Sequence, residues 1–197
     1  MLNELNRQIE SDFEPDEVDC TIIDVRLDGE DLASSLKLHS EYGPDTNWSL
    51  RAKNALGWQL SPRRRVCPPR IVSEHPVLLP YQFPTVSLYL NRTLGSEKQL
   101  IADLIHAHAE VCGAWLHPFD YLRLDIIRPA PEPSFGLLAT APAKLIHRYR
   151  EVVLKNGGSA SIAGEIPLPT IDGPPVVALI LGDFWIVARD FEVTRSE

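Results

Sequence analysis

The sequence has few of the residues on which several protein classes depend. It holds three cysteines, Cys20, Cys67 and Cys112, at long spacings and without a CxxC pair. A zinc ribbon and a thioredoxin-type redox pair are therefore excluded. Methionine occurs only at position 1, so the chain offers no adaptable methionine-rich groove. No apolar run approaches the roughly 18 residues of a membrane-spanning helix, and we expect no membrane partner.

Common catalytic motifs and an export signal are lacking as well. The sequence contains no GxGxxG, GxxxxGK[ST], HExxH or GxSxG, which removes the usual indications of nucleotide binding, zinc hydrolysis and acyl transfer. Residues 1–17 lack the apolar core of a secretion signal, so we expect a soluble, cytoplasmic protein with reduced thiols. We predict no cofactor.

Acidic residues outnumber basic ones, 27 to 19, and the excess negative charge is concentrated at one end. The 197 residues carry a formal net charge of −8, which argues against general nucleic-acid binding, since that requires a positive surface. Residues 1–31 hold eleven acidic and two basic side chains, whereas the other 166 residues sum to +1. Residues 1–16 have few apolar side chains to bury. We therefore predict an acidic arm there that is mobile or is ordered only on a neighbouring subunit. A single domain is predicted over residues 17–197.

Residue patterns predict short strands in the first half of that domain. Alternating or β-branched residues predict strands over 18–27, 35–39, 71–79 and 85–91, with a turn at Asp28-Gly29 after the first. Residues 47–57 show no clear alternation and are predicted as a short helix or an irregular segment.

Two helices and a hairpin are predicted in the second half. A capping-box pattern at Ser96 and Gln99 begins a helix that Gly113 ends, and a second helix is predicted to begin at Thr140. Residues 119–127 are predicted as a strand between them. Residues 176–181 and 184–193 flank Gly182-Asp183, which predicts an antiparallel hairpin. The order predicts an α+β domain: a mostly antiparallel sheet with two main helices packed on one face and a C-terminal β-hairpin.

The densest positive charge lies in residues 61–70, which contain Arg63, Arg64, Arg65 and Arg70 and no acidic residue. Guanidinium groups suit phosphates and other anions, so these arginines are a candidate anion-binding site. The alternative is a solvated loop held against the acidic N-terminus. We prefer the second interpretation, because isolated surface charge carries little specificity.

The densest set of metal-binding residue types is His106, His108, Cys112, His117 and Asp120, and His108, Cys112 and His117 are its candidate ligands. His108 and Cys112 are four residues apart and share a helix face, and nitrogen and sulfur donors suit Zn²⁺. Both nevertheless fall inside the apolar stripe of the predicted helix, where cysteine behaves as a small core residue. We therefore predict core residues there and no bound metal.

Two functional hypotheses from different classes remain open. The first is a non-catalytic binding or assembly protein that binds a protein partner or self-associates as a homo-oligomer. It follows from the lack of a catalytic motif and from the uneven charge. The second is a small-ligand or anion-binding enzyme that uses the 61–70 arginines together with a histidine.

Overall fold

The structure is a computed structural model that describes residues 19–39, 44–59, 64–65, 69–92, 96–128, 134–168, 174–182 and 184–196. Its helices and antiparallel strands confirm the α+β class. Contacts divide the chain into two compact units, Met1–Leu78 with Asp172–Glu197 as unit 1 and Leu79–Ile171 as unit 2. The acidic arm at 1–16 lies outside the described residues, and the single domain over 17–197 stays a prediction.

The described residues form twelve strands and three α-helices. The strands are β1 (Asp19–Asp28), β2 (Asp31–His39), β3 (Thr46–Lys53), β4 (Gly57–Gln59), β5 (Arg64–Arg65), β6 (Arg70–Val72), β7 (Thr85–Arg92), β8 (Gly136–Pro142), β9 (Ser159–Ile166), β10 (Val177–Leu181), β11 (Phe184–Ala188) and β12 (Asp190–Ser196). The helices are α1 (Leu79–Gln82), α2 (Glu97–Cys112) and α3 (Ala143–Lys155). None of these described helices is long and apolar enough to cross a membrane.

The strands form three antiparallel sheets instead of the one sheet that the sequence predicted. Unit 1 holds a five-stranded sheet, ordered β12-β3-β2-β1-β5, and a four-stranded sheet, ordered β4-β11-β10-β6. Unit 2 holds a three-stranded sheet, ordered β8-β7-β9.

The core of unit 1 is built from alternating residues of its two sheets. Leu36 of β2 and Leu50 of β3 belong to the same buried apolar cluster as Leu179 of β10 and Ile186 of β11. Strand β3 shows that the prediction of a short helix or an irregular segment over 47–57 is wrong as far as Lys53. Every second residue from Thr46 to Ala52 is buried, which is the period of a half-buried strand.

The C-terminal hairpin is confirmed, but it ends earlier than predicted. Leu181 pairs with Phe184 and Val177 with Ala188, and Gly182 takes the positive φ of 58° that such two-residue turns require. The predicted continuation of its second strand to residue 193 is wrong. At Arg189 the backbone N–H bonds the Lys53 carbonyl at 3.0 Å, and β12 pairs with β3 in the other sheet.

In unit 2, α3 packs against all three strands and α2 packs against α3. Helix α2 begins as predicted, because the Ser96 hydroxyl accepts the Gln99 N–H at 3.5 Å. The predicted start of the second helix at Thr140 is wrong. Thr140 belongs to β8 and lies opposite Ser87 of β7, so α3 begins only after Pro142.

Two predicted strands are largely turns. Over residues 119–127 the chain forms two 3₁₀ turns, and a single bridge joins Leu122 to Ala139. Over 71–79 the strand stops at Val72, and a 3₁₀ turn begins at Pro76. Pro76 has no N–H to donate to a ladder, so the strand does not resume there.

Candidate functional site

Among the described residues, strand β1 is paired on one side only over most of its length. It pairs with β2 from Asp19 to Asp28. On its other side, within the described part of the chain, it pairs only with β5, at Asp19 and Cys20. The segment from Ile23 to Asp28, which we call the β1 edge, is exposed at every residue. Such an edge presents unpaired backbone groups to a further strand.

The β1 edge carries apolar side chains where a solvent-facing strand usually carries polar ones. Val25 lies opposite Ser34 and Leu27 opposite Leu32, on the face that β2 turns towards the core. Val25 is nevertheless 38% exposed, Leu27 60%, and Ile23, at the bulge in the ladder, 58%. Ile23, Val25 and Leu27 therefore form an apolar strip that is exposed to solvent next to the buried face of β2.

The register also fixes the direction of the backbone groups along the edge. Gly29, with φ 66°, and Glu30 form a two-residue turn between Asp28 and Asp31, which pair directly. The pair that closes such a turn is hydrogen-bonded, and hydrogen-bonded pairs alternate with non-hydrogen-bonded ones. The N–H and C=O groups of Leu27 and Val25 therefore point away from β2, towards the open side.

Two opposite charges flank Val25 on the other face of the strand. Asp24 lies opposite Ser35 and Arg26 opposite Ala33, and both charged side chains are exposed. Neither forms an ion pair with another described residue. Asp28, in contrast, is already bound, because Arg51 Nη2 lies 3.4 Å from its carboxylate.

A second cluster of chemically versatile side chains is buried in unit 2. His108 Nδ1 lies 2.6 Å from the Tyr149 hydroxyl, and Nε2 lies 2.7 Å from the Leu116 carbonyl oxygen. A carbonyl only accepts, so Nε2 carries the proton, and Nδ1 of the neutral ring accepts from Tyr149. Burial lowers the pKa of His108 and raises that of Tyr149.

The other two candidate metal ligands, Cys112 and His117, are likewise accounted for by structural roles. Cys112 is fully buried, and burial raises its pKa to about 11, so the group is a thiol. His117 caps the turn at 118–120, where its Nδ1 accepts the Phe119 N–H at 3.4 Å. The interpretation of His108 and Cys112 as core residues is confirmed.

Metal binding itself is not decided by this geometry. The described residues contain no group of three or more His, Cys, Asp or Glu side chains arranged to hold a metal ion. Both nitrogens of His108 are already engaged in hydrogen bonds. That the protein binds no metal stays a prediction.

The candidate anion-binding arginines are only partly described. Arg63 and the side chains of Arg64 and Arg65 lie outside the described residues. In β5, Arg64 pairs with Cys20 and Arg65 with Asp19. Arg70 begins β6 in the four-stranded sheet, opposite Ile180, and is exposed. An anion site made of the four arginines stays a prediction.

Comparison with known proteins adds no family to this description. The chain matches no family model, no curated protein and no solved structure. The geometry of the described residues is therefore the basis on which a function can be inferred.

Proposed function

We propose that the chain is a non-catalytic binding or assembly protein that takes up an extended protein segment along the β1 edge. The observation that carries this proposal is the open edge from Ile23 to Asp28, with three apolar side chains exposed along it.

An added strand would supply both hydrogen-bond partners for the backbone of this edge and cover for its apolar side chains. Its backbone would bond the outward N–H and C=O groups of Val25 and Leu27, and its side chains would cover the apolar strip. Proteins usually protect long edges with prolines, bulges, charges that point inwards, or covering loops. Among the described residues β1 has no proline, and only the bulge at Ile23 interrupts its ladder.

The buried cluster in unit 2 supports the non-catalytic part of the proposal. His108 and Tyr149 are 1% and 0% exposed, so a substrate cannot reach either group in this fold. Catalytic thiols are partly exposed and have a lowered pKa, whereas Cys112 has the opposite properties.

Site-specific photo-cross-linking tests this function. A benzoylphenylalanine placed at Ile23 should form cross-links to protein in cells that produce the chain, and the cross-linked residues should lie in an extended segment. The matched control is the same group at Ile166 on β9, which is 67% exposed and lies in unit 2.

Val25→Pro provides the blocking variant for this experiment. It removes the outward N–H of Val25 while leaving the N–H groups that bond β2, so β1 should stay folded. We expect the cross-links at position 23 to fall strongly in this variant, while its thermal unfolding stays close to that of the parent chain. Equal cross-linking at positions 23 and 166, or no effect of Val25→Pro in a folded chain, would overturn the proposal.

A further inference from the structure

We infer that the segment taken up by the β1 edge is β1 of a second copy of the chain, paired antiparallel about a two-fold axis at Val25. This inference rests on the proposed function, because it names the partner of the same edge. The observation that supports it is the order of charged residues along β1, with Asp24 before Val25 and Arg26 after it.

The two-fold axis at Val25 makes the strand complementary to itself. Val25 then lies opposite Val25 of the second copy, and Asp24 lies opposite Arg26. By symmetry Arg26 lies opposite Asp24, so one interface contains two pairs of opposite charge. Opposite charges placed directly across a ladder stabilise it, and like charges destabilise it. Both side chains are exposed and lack an ion-pair partner among the described residues.

Neighbouring positions of the axis are less favourable. An axis at Asp24 would place two Asp24 side chains opposite each other, and an axis at Arg26 would do the same with two guanidinium groups. An axis at Leu27 would place Val25 opposite Gly29, in the turn. It would also pair Arg26 with Asp28, which Arg51 already binds.

The backbone favours the same axis. Val25 directs its N–H and C=O outwards, so two copies of it can exchange two hydrogen bonds as one hydrogen-bonded pair. The bulge at Ile23 limits the regular pairing to a short segment. A two-fold contact of this kind uses the edge of each copy once, so it closes as a dimer and does not extend into a fibre.

Sedimentation velocity of the full chain, over a range of concentrations, tests the inference through charge reversal. The parent chain should show a concentration-dependent monomer–dimer equilibrium. Asp24→Arg alone and Arg26→Asp alone should each raise the dissociation constant about tenfold or more. An equimolar mixture of the two variants should dimerise again. The arginine introduced in one variant then faces the aspartate introduced in the other, and the unchanged Arg26 of the first faces the unchanged Asp24 of the second.

The controls are the same reversals at exposed sites of unit 2, Glu165→Arg on β9 and Arg150→Asp on α3, which should leave the equilibrium unchanged. The inference is overturned by a monomeric parent chain at every concentration, by dimers that resist both reversals, or by a mixture that stays monomeric. Cross-links from position 23 to a different protein would then still support the proposed function. If position 23 formed no cross-links and the chain did not dimerise, both the proposed function and this inference would be overturned.

Discussion

Leu27 and Leu32 lie directly opposite each other in the ladder between β1 and β2, yet Leu27 is 60% exposed and Leu32 is 1% exposed. Directly opposite residues share one face of a sheet. The apolar residues that cover Leu32 therefore do not extend over Leu27. The face of the sheet that is buried at β2 is exposed to solvent at β1, and this exposed part is the proposed docking surface.

This pair gives the first prediction. Leu32→Ala should lower the free energy of unfolding by about 2–5 kcal/mol, because it leaves a cavity in a packed core. Leu27→Ala should change it by no more than about 0.5 kcal/mol, as is usual at the surface, but should weaken cross-linking at position 23. Urea denaturation of both variants measures the difference. Similar losses of stability would show that Leu27 is part of the core.

The sequence predicts β1 itself but not its position in the sheet. The β-branched residues from Val18 to Leu27 indicate a strand, and the turn after it is visible in Asp28-Gly29. Whether such a strand is central or at an edge depends on pairing with residues far along the chain, which local patterns do not encode. The alternation of Asp24, Val25 and Arg26 was the available signal for the site, and it gains meaning only once the edge is known.

The second prediction concerns the hydrogen bond between His108 and Tyr149. His108→Leu would be neutral or stabilising if the buried ring had no hydrogen-bond partner. The ring is paired at both nitrogens, so His108→Leu should destabilise the fold by leaving the Tyr149 hydroxyl and the Leu116 carbonyl without a partner.

Double-mutant analysis measures this coupling. Tyr149→Phe removes the donor to Nδ1 and should cost about 1–3 kcal/mol, because a buried acceptor loses its partner. Combined with His108→Leu, it should cost less than the sum of the two single changes. Strict additivity in urea denaturation would show that the hydrogen bond contributes nothing to stability.

The third prediction is the pH dependence of this site. Burial holds the pKa of His108 below its ordinary value of 6.5. The hydrogen bond to the Leu116 carbonyl opposes this shift, and smaller contributions from His117, which lowers the pKa, and Asp120, which raises it, act in opposite directions. The unfolded chain therefore binds a proton at a higher pH than the folded chain does. Stability should fall as the pH drops through 6.5 towards the lower folded pKa.

The variant His108→Gln isolates that contribution, because glutamine keeps a donor and an acceptor but does not titrate in this range. The difference in unfolding free energy between the parent chain and this variant should shrink from pH 7.5 to pH 5. A difference that stays constant or grows would mean that the folded pKa is not lowered.

The fourth prediction concerns Cys112. With a pKa of about 11, only about one thiol in a thousand is ionised at pH 8, and the side chain is fully buried. Iodoacetamide should therefore label Cys112 at least about 100-fold more slowly in the folded chain than in urea. Peptide mass mapping follows this residue separately from Cys20 and Cys67. Rapid labelling of the folded chain would contradict the buried-thiol description.

The errors in the predicted fold also have a physical origin. In β3 the buried positions include Thr46 and Ala52, which weaken the apolar alternation that indicates a strand. Residues 119–127 have the composition of a strand, but among the described residues only Leu122 finds a strand to bridge. The sequence could likewise place Tyr149 in an apolar helix stripe, but not identify His108, 41 positions earlier, as its partner.

Amide hydrogen exchange at Val25 tests the central claim most directly, because its N–H points to the open side of β1, whereas that of Arg26 points to β2. In dilute solution Val25 should exchange rapidly and Arg26 slowly. As the protein concentration rises through a roughly hundredfold range, exchange at Val25 should slow progressively while Arg26 changes little. A Val25 amide that is as protected as that of Arg26 in dilute solution, or one that does not respond to concentration, would contradict an edge that is open in one copy and closed by a second.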